Sequence, residues 1–160
     1  MLEYRITKYD PQFRDASGAY MIDEWTCYGD ADGSVGLNDD LQVEANYVNV
    51  AAAFLIEAGI GALAVCGLEH ARQTLVSFAE AAVLLPDQWE AAFRAVVREV
   101  CWCRFEAVDS FVHFGWDYYM YLGVPRMCPN ESGWKSVEQS GARMSVQLSG
   151  NRRLQGRTKK

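Results

Sequence analysis

The sequence predicts an α+β fold: a mainly antiparallel sheet with two main helices packed on one face. Three observations predict it. Two segments, 39–58 and 87–100, repeat apolar residues at three- and four-residue steps, the period of a helix with one buried stripe. The stretches before and between them alternate, or run apolar, over strand lengths. From Trp102 to Leu122 the chain is a succession of short β-rich runs separated by turn residues. Elements in that order build two layers around one core. At 160 residues one domain is expected, spanning 1–149, with 150–160 as a flexible basic tail. No internal repeat is present.

Residues 3–9 alternate and are rich in β-formers, so they are expected to form the first strand. Asp10-Pro11 ends it, because proline drives the preceding residue out of helical geometry and offers no ladder donor. A turn at 15–18 leads to a second strand over 22–28 and a glycine-rich loop over 29–38. Asn38 or Asp39 is expected to cap the first helix, and Asp39 with Gln42 has capping-box spacing. Leu41, Ala45, Val48, Ala52 and Leu55 give it a stripe, and Gly59 stands where a terminating glycine belongs. Residues 63–68 are a short buried strand, and 70–85 permit a helix without a firm cap. Asp87 with Glu90 is a second capping box, opening a helix whose face is Trp89, Phe93, Val96, Val97 and Val100. Glu90 precedes Arg94 by four in the favourable orientation. Strands follow at 102–108, 111–114 and 117–122, with turns at Asp109-Ser110 and near Gly115, and Met144, Val146 and Leu148 alternate as an edge strand.

The charge is unevenly placed. The net charge is −6, yet all twenty-one acidic residues and only nine basic ones lie in the first 142 positions, a net −12, while the last eighteen carry +6. A body so acidic repels phosphates, so direct nucleic-acid binding is not expected. No apolar run approaches the roughly 20 residues of a membrane span, and no signal core opens the chain, so a cytoplasmic protein without membrane contact is expected. Five cysteines without a CxxC pair fit reduced thiols better than a disulfide framework or zinc knuckle.

Catalytic and metal motifs fare poorly. Asp30-Ala31-Asp32-Gly33 opens like a calcium loop, but Val35 stands at the required glycine and Leu41 at the bidentate glutamate. No metal, cofactor or catalytic set is expected: there is no GxSxG and no dinucleotide fingerprint, and Gly59-Ile60-Gly61 follows a helix, not a strand. His113 with Asp117, or with a thiol of Cys101-Trp102-Cys103, is the one acid–base arrangement a small-substrate enzyme would use. A self-associating module built on the aromatic hairpin is a further alternative. The most informative cluster is acidic. Asp23, Glu24, Asp30, Asp32, Asp39, Asp40 and Glu44 fall within 22 positions without a lysine or arginine, and Tyr20, Trp25, Tyr28 and Tyr47 stand among or beside them. Carboxylates around aromatic anchors suit rapid, tight capture of a basic partner; the competing account is a solubilising face over core aromatics.

Arg5-Ile6-Thr7-Lys8-Tyr9-Asp10-Pro11, Asp23-Glu24-Trp25-Thr26, Trp102-Cys103-Arg104-Phe105-Glu106 and Val112-His113-Phe114-Gly115-Trp116-Asp117-Tyr118-Tyr119-Met120-Tyr121 together resemble a family of small bacterial proteins associated with immunity to polymorphic or contact-dependent toxins. The resemblance covers most of 4–123. The family's usual Ser-x-Ser-Asp-Ile-Gly after the Trp-Thr pair is replaced by Cys27-Tyr28-Gly29-Asp30-Ala31-Asp32-Gly33, and nothing after about Ser132 resembles it. It implies an immunity protein whose partner is a cognate toxin domain, a nuclease being favoured because its substrate groove must be basic. The expected partner-binding residues are Asp23, Glu24, Trp25, Tyr28, Asp30, Asp32, Asp39, Asp40 and Glu44.

Overall fold

The computed structural model describes residues 1–17, 19–22, 37–70, 76–115, 118–125 and 145–148. Its strands are β1 (Leu2–Thr7), β2 (Leu63–His70), β3 (Val83–Leu84), β4 (Cys101–Ala107), β5 (Ser110–Phe114), β6 (Tyr119–Val124) and β7 (Ser145–Leu148); its helices are α1 (Leu37–Glu57) and α2 (Pro86–Val97). The strands form one sheet in the order β3-β2-β4-β5-β6-β1-β7, every neighbouring pair antiparallel. The expected α+β architecture is what the chain adopts.

Strand order explains why both helices share a face. In an all-antiparallel sheet, strands an even number of places apart run parallel, so β1 is parallel to β2 and β3 to β4. The chain makes each of those connections through a helix, and the two crossovers step across the sheet in the same sense relative to strand direction. A common handedness then places α1 and α2 on the same side. They pack on each other there, α1 over β6 and α2 over β3 and β4.

The core lies between helices and sheet. Along β4, Cys101, Cys103 and Phe105 are buried; on β5, Ser110, Val112 and Phe114; on β6, Met120 and Leu122; on β1, Tyr4 and Ile6. Period-two alternation sends Arg5, Trp102, Arg104, Glu106, Phe111, His113, Tyr119 and Tyr121 to the opposite, outer face. Phe93 of α2 is edge-on to Phe105 at 5.0 Å and 5.7 Å from Phe114, tying helix to sheet through rings.

Several boundaries differ from expectation. Helix α1 begins at Leu37, so Asn38 and Asp39, the expected caps, lie inside its first turn with Asp40. Its buried side centres on Glu44, Tyr47, Val48, Ala51, Phe54, Leu55 and Ala58, while Leu41 is 37% exposed and Ala45 and Ala52 are half-buried. Contacts with both α2 and the sheet turn the helix from the simple stripe. Its end is as anticipated. Gly59 has φ +78°, and Gly59 N–H to Ile56 and Ile60 N–H to Leu55 are the paired bonds of a Schellman cap. Helix α2 starts earlier than the Asp87 box predicts: Pro86 takes the first helical position, where its missing N–H costs nothing, and Gln88 Oε1 accepts from Leu85 N–H at 2.9 Å. Its end repeats the Schellman pattern with Glu99 at φ +56°. Residues 76–84 form no helix; 83–84 are the strand β3. The hairpin between β4 and β5 turns at Val108-Asp109, one residue before the expected pair. The edge strand expected near 144–148 is β7. The expected strand at 22–28 falls outside the described residues beyond Ile22, as does the tail from 149.

Candidate functional site

Most of the expected acidic surface falls on Asp23, Glu24, Trp25, Tyr28, Asp30 and Asp32, which lie outside the described residues. Asp39 and Asp40 sit in the first turn of α1, where the helix macrodipole favours negative charge. Glu44 is a correction. The exposed rim position expected for it is not adopted: it is 1% exposed, with its carboxylate held by Arg94 of α2 and by Arg98, the residue that caps that helix. Arg94 and Arg98 both donate to it, Arg98 Nη2 at 3.1 Å from Oε1, and Arg94 also reaches Glu90 Oε1 at 2.9 Å. A buried carboxylate is tolerated only when such partners replace its lost hydration. Glu44 therefore joins α1 to α2 and offers no charge to a partner. Tyr47 is likewise core: its hydroxyl accepts from Lys8 N–H at 2.8 Å and donates to the Tyr118 carbonyl, and burial pushes its phenol well above the ordinary value.

The outer face of the sheet carries the titratable groups. Registers place Arg5 beside Tyr121, Tyr121 beside His113, His113 beside Arg104 and Arg104 beside Cys66, a row across five strands. Glu106 serves two of its members: its Oε1 lies 3.3 Å from His113 Nε2 and 3.3 Å from Arg104 Nη1. Phe111 stacks on His113 with centroids 4.4 Å apart, and its ring covers Gly123, where an added Cβ would lie 2.4 Å from Phe111 Cε1. Glycine at 123 is thus required by the ring above it. Burial pulls the His113 imidazole below its usual value, opposed by Glu106 and reinforced by Arg104.

These positions decide the acid–base arrangements. Asp117 lies outside the described residues. Cys101 and Cys103 face the helices while His113 faces outward, so the expected thiol–imidazole pairing is corrected: the sheet stands between them. Cys66 does share the outer face, but burial and the carboxylates Glu106 and Glu80 push its thiol up, the wrong direction for a nucleophile.

A second polar cluster closes the other end of β1. Lys8, 8% exposed, has its Nζ 5.1 Å from the Tyr9 ring and 5.3 Å from the Tyr118 ring. Arg14 donates to the Tyr119 hydroxyl and lies over the rings of Tyr20 and Tyr119, with Arg5 also over Tyr119. Rings tolerate these cations because the π-face is electron-rich. Among the described residues, no group of three or more His, Cys, Asp or Glu is placed to hold a metal, and no helix is long and apolar enough to cross a membrane.

Of the outer row only His113 stood out in the sequence as a candidate, and of the cation–tyrosine cluster only Tyr20, beside the acidic run. The signal was present: Trp102, Arg104 and Glu106 alternate with buried residues, as do Phe111 and His113, so the outward set could be written down once the strands were accepted. Comparison with protein-family models, with characterised proteins and with solved structures found no match.

Proposed function

We propose that this protein is an immunity protein that binds a cognate bacterial toxin and neutralises it, a nuclease being the favoured target, with no catalytic chemistry of its own. One observation carries the reading: seven carboxylates fall between Asp23 and Glu44 without a lysine or arginine among them, of which Glu44 is occupied inside the fold. The remaining six, with Trp25 and Tyr28 as anchors, supply the charge and the rings that an acidic inhibitor uses against a phosphate-binding groove. Asp39 and Asp40 lie in the first turn of the helix that Glu44 ties to Arg94 and Arg98. The resemblance of the motifs at 5–11, 23–26, 102–106 and 112–121 to toxin-immunity proteins points the same way.

Charge reversal at Asp30, Asp32, Asp39 and Asp40 together tests this against any toxin domain found encoded in the neighbouring reading frame. Association is expected to slow by roughly tenfold or more at low salt, and its salt dependence to flatten, because steering acts on the encounter rate. An unchanged association rate removes the acidic surface from the site. Neutralisation retained by a His113→Ala variant separates this reading from an enzyme that uses the imidazole.

A further inference from the structure

Strand β2 is covered on its outer side by β3 only at Leu63 and Ala64. Two further bonds, Val65 N–H to the Ala82 carbonyl and Ala81 N–H to the Val65 carbonyl, each 2.9 Å, extend that cover by one residue. Beyond it β2 continues to His70, paired with β4 on its inner side alone among the described residues. Between Cys66 and Glu69, β2 spends three steps where β4 spends two, from Arg104 to Trp102, so one residue is bulged out. Gly67 makes the bulge possible: it sits at φ +67°, with nothing within 4 Å of where a Cβ would stand, so glycine serves the conformation and not the space.

The bulge turns two consecutive N–H groups, of Gly67 and Leu68, toward the open edge. Both are taken by one side chain. Glu80 Oε1 accepts from Gly67 at 3.1 Å and Oε2 from Leu68 at 2.6 Å. These two donors hold the Glu80 carboxyl below the usual carboxylate range, Leu68 contributing most. The chain adopts an unfavourable conformation beside it: Ala81, not glycine, sits at φ +61°. A left-handed alanine directly after Glu80, in a turn that then rejoins the β2 ladder, is what directs the carboxylate along the edge.

We propose that the Glu80 carboxylate substitutes for a neighbouring strand and closes the β2 edge against strand addition by a second copy of this chain. An uncovered strand edge is a template for pairing, and the partner present at every concentration is the same edge on another copy. Antiparallel pairing centred on Leu68 would set Glu69 opposite Gly67 of the second copy, so no like charges oppose it. The intramolecular carboxylate prevails because its bonds are charge-assisted and it gives up no translational freedom to form them.

The test is light scattering over a wide concentration range with amide hydrogen exchange at Gly67 and Leu68. The unaltered chain is expected at one chain mass throughout, with both amides protected. Glu80→Ala is expected to rise toward twice that mass as concentration increases, with the two amides unprotected when dilute and protected again when associated. Glu80→Gln, which keeps a neutral acceptor, is expected to associate only at higher concentration, and serves if the alanine variant fails to fold. Either variant folded and at one chain mass throughout overturns the proposal, as does association that leaves the Gly67 and Leu68 amides exchanging freely.

Discussion

The two faces of the sheet use the same strands and differ in what fixes their residues. On the inner face Phe105, Val112, Phe114, Met120 and Leu122 meet the helices, and burial alone accounts for each. On the outer face Arg104, Glu106, Phe111 and His113 alternate with them, and each is held by a particular neighbour: an ion pair, a stacked ring, a glycine beneath. The inner face is nonspecific in its chemistry and indispensable for stability. The outer face is the reverse, with modest energies attached to definite partners. Stability and specificity are therefore separable by mutation, strand by strand.

The inner face breaks most easily at Phe105. It is fully buried and meets the rings of Phe78, Phe93 and Phe114. Phe105→Ala removes a large side chain where three elements converge, so a loss of about 3–5 kcal/mol is expected in denaturant unfolding, with cooperativity retained. A loss below about 1 kcal/mol would mean that the inner face collapses to fill the gap and that packing there is not what separates the faces.

The same asymmetry decides how much was legible in the sequence. Periodicity locates α1, β4, β5 and β6 because burial imposes it, and the Gly59 cap follows from a conformation only glycine adopts readily. Local charge counting failed at Glu44, because the arginines that neutralise it lie fifty and fifty-four residues away, on another helix. The one available hint is that Arg94 and Arg98 stand four apart, hence on one side of α2 and its C-cap. The α2 start differs for a local reason: the Asp87–Glu90 spacing points too late in the chain, while Pro86 and the Gln88 bond to Leu85 N–H open the helix from a leucine N-cap. The outward row was written in the alternation, but the sharing of Glu106 between His113 and Arg104 depends on register, and register is set by the tertiary fold.

Gly123→Ala sharpens the comparison on the outer side. The new methyl would collide with Phe111, so the ring must leave its place and His113 loses its stacking partner. A destabilisation of about 1–3 kcal/mol is expected. Adding Phe111→Ala removes the collision, so the double variant should be less destabilised than the sum of the two single changes. Strict additivity in that cycle would show that the ring and the glycine are independent, and the outer face would then be ordinary solvent-facing surface.

The smallest expected effect is the most diagnostic, because it reads the outer face through a single imidazole, His113. His113 is held below its usual value chiefly by burial, with Arg104 acting in the same direction and Glu106 against it; Phe111 and Tyr121 are the uncharged neighbours. In the unfolded chain the imidazole returns to an ordinary value of about 6.5. Between the two values the unfolded state binds more protons than the folded one, so stability rises with pH across that window. The contribution is therefore complete above the unfolded value and is lost as the pH falls toward the folded one. Unfolding measured from pH 7.5 to 5 should show a shallow decline that His113→Gln removes. Glu106→Gln takes away a group that favours the charged imidazole, so it should widen the window and steepen the decline. A decline that survives unchanged in His113→Gln would place the titrating group elsewhere and would leave the imidazole as a packed ring, as much a creature of burial as Phe105 on the opposite face.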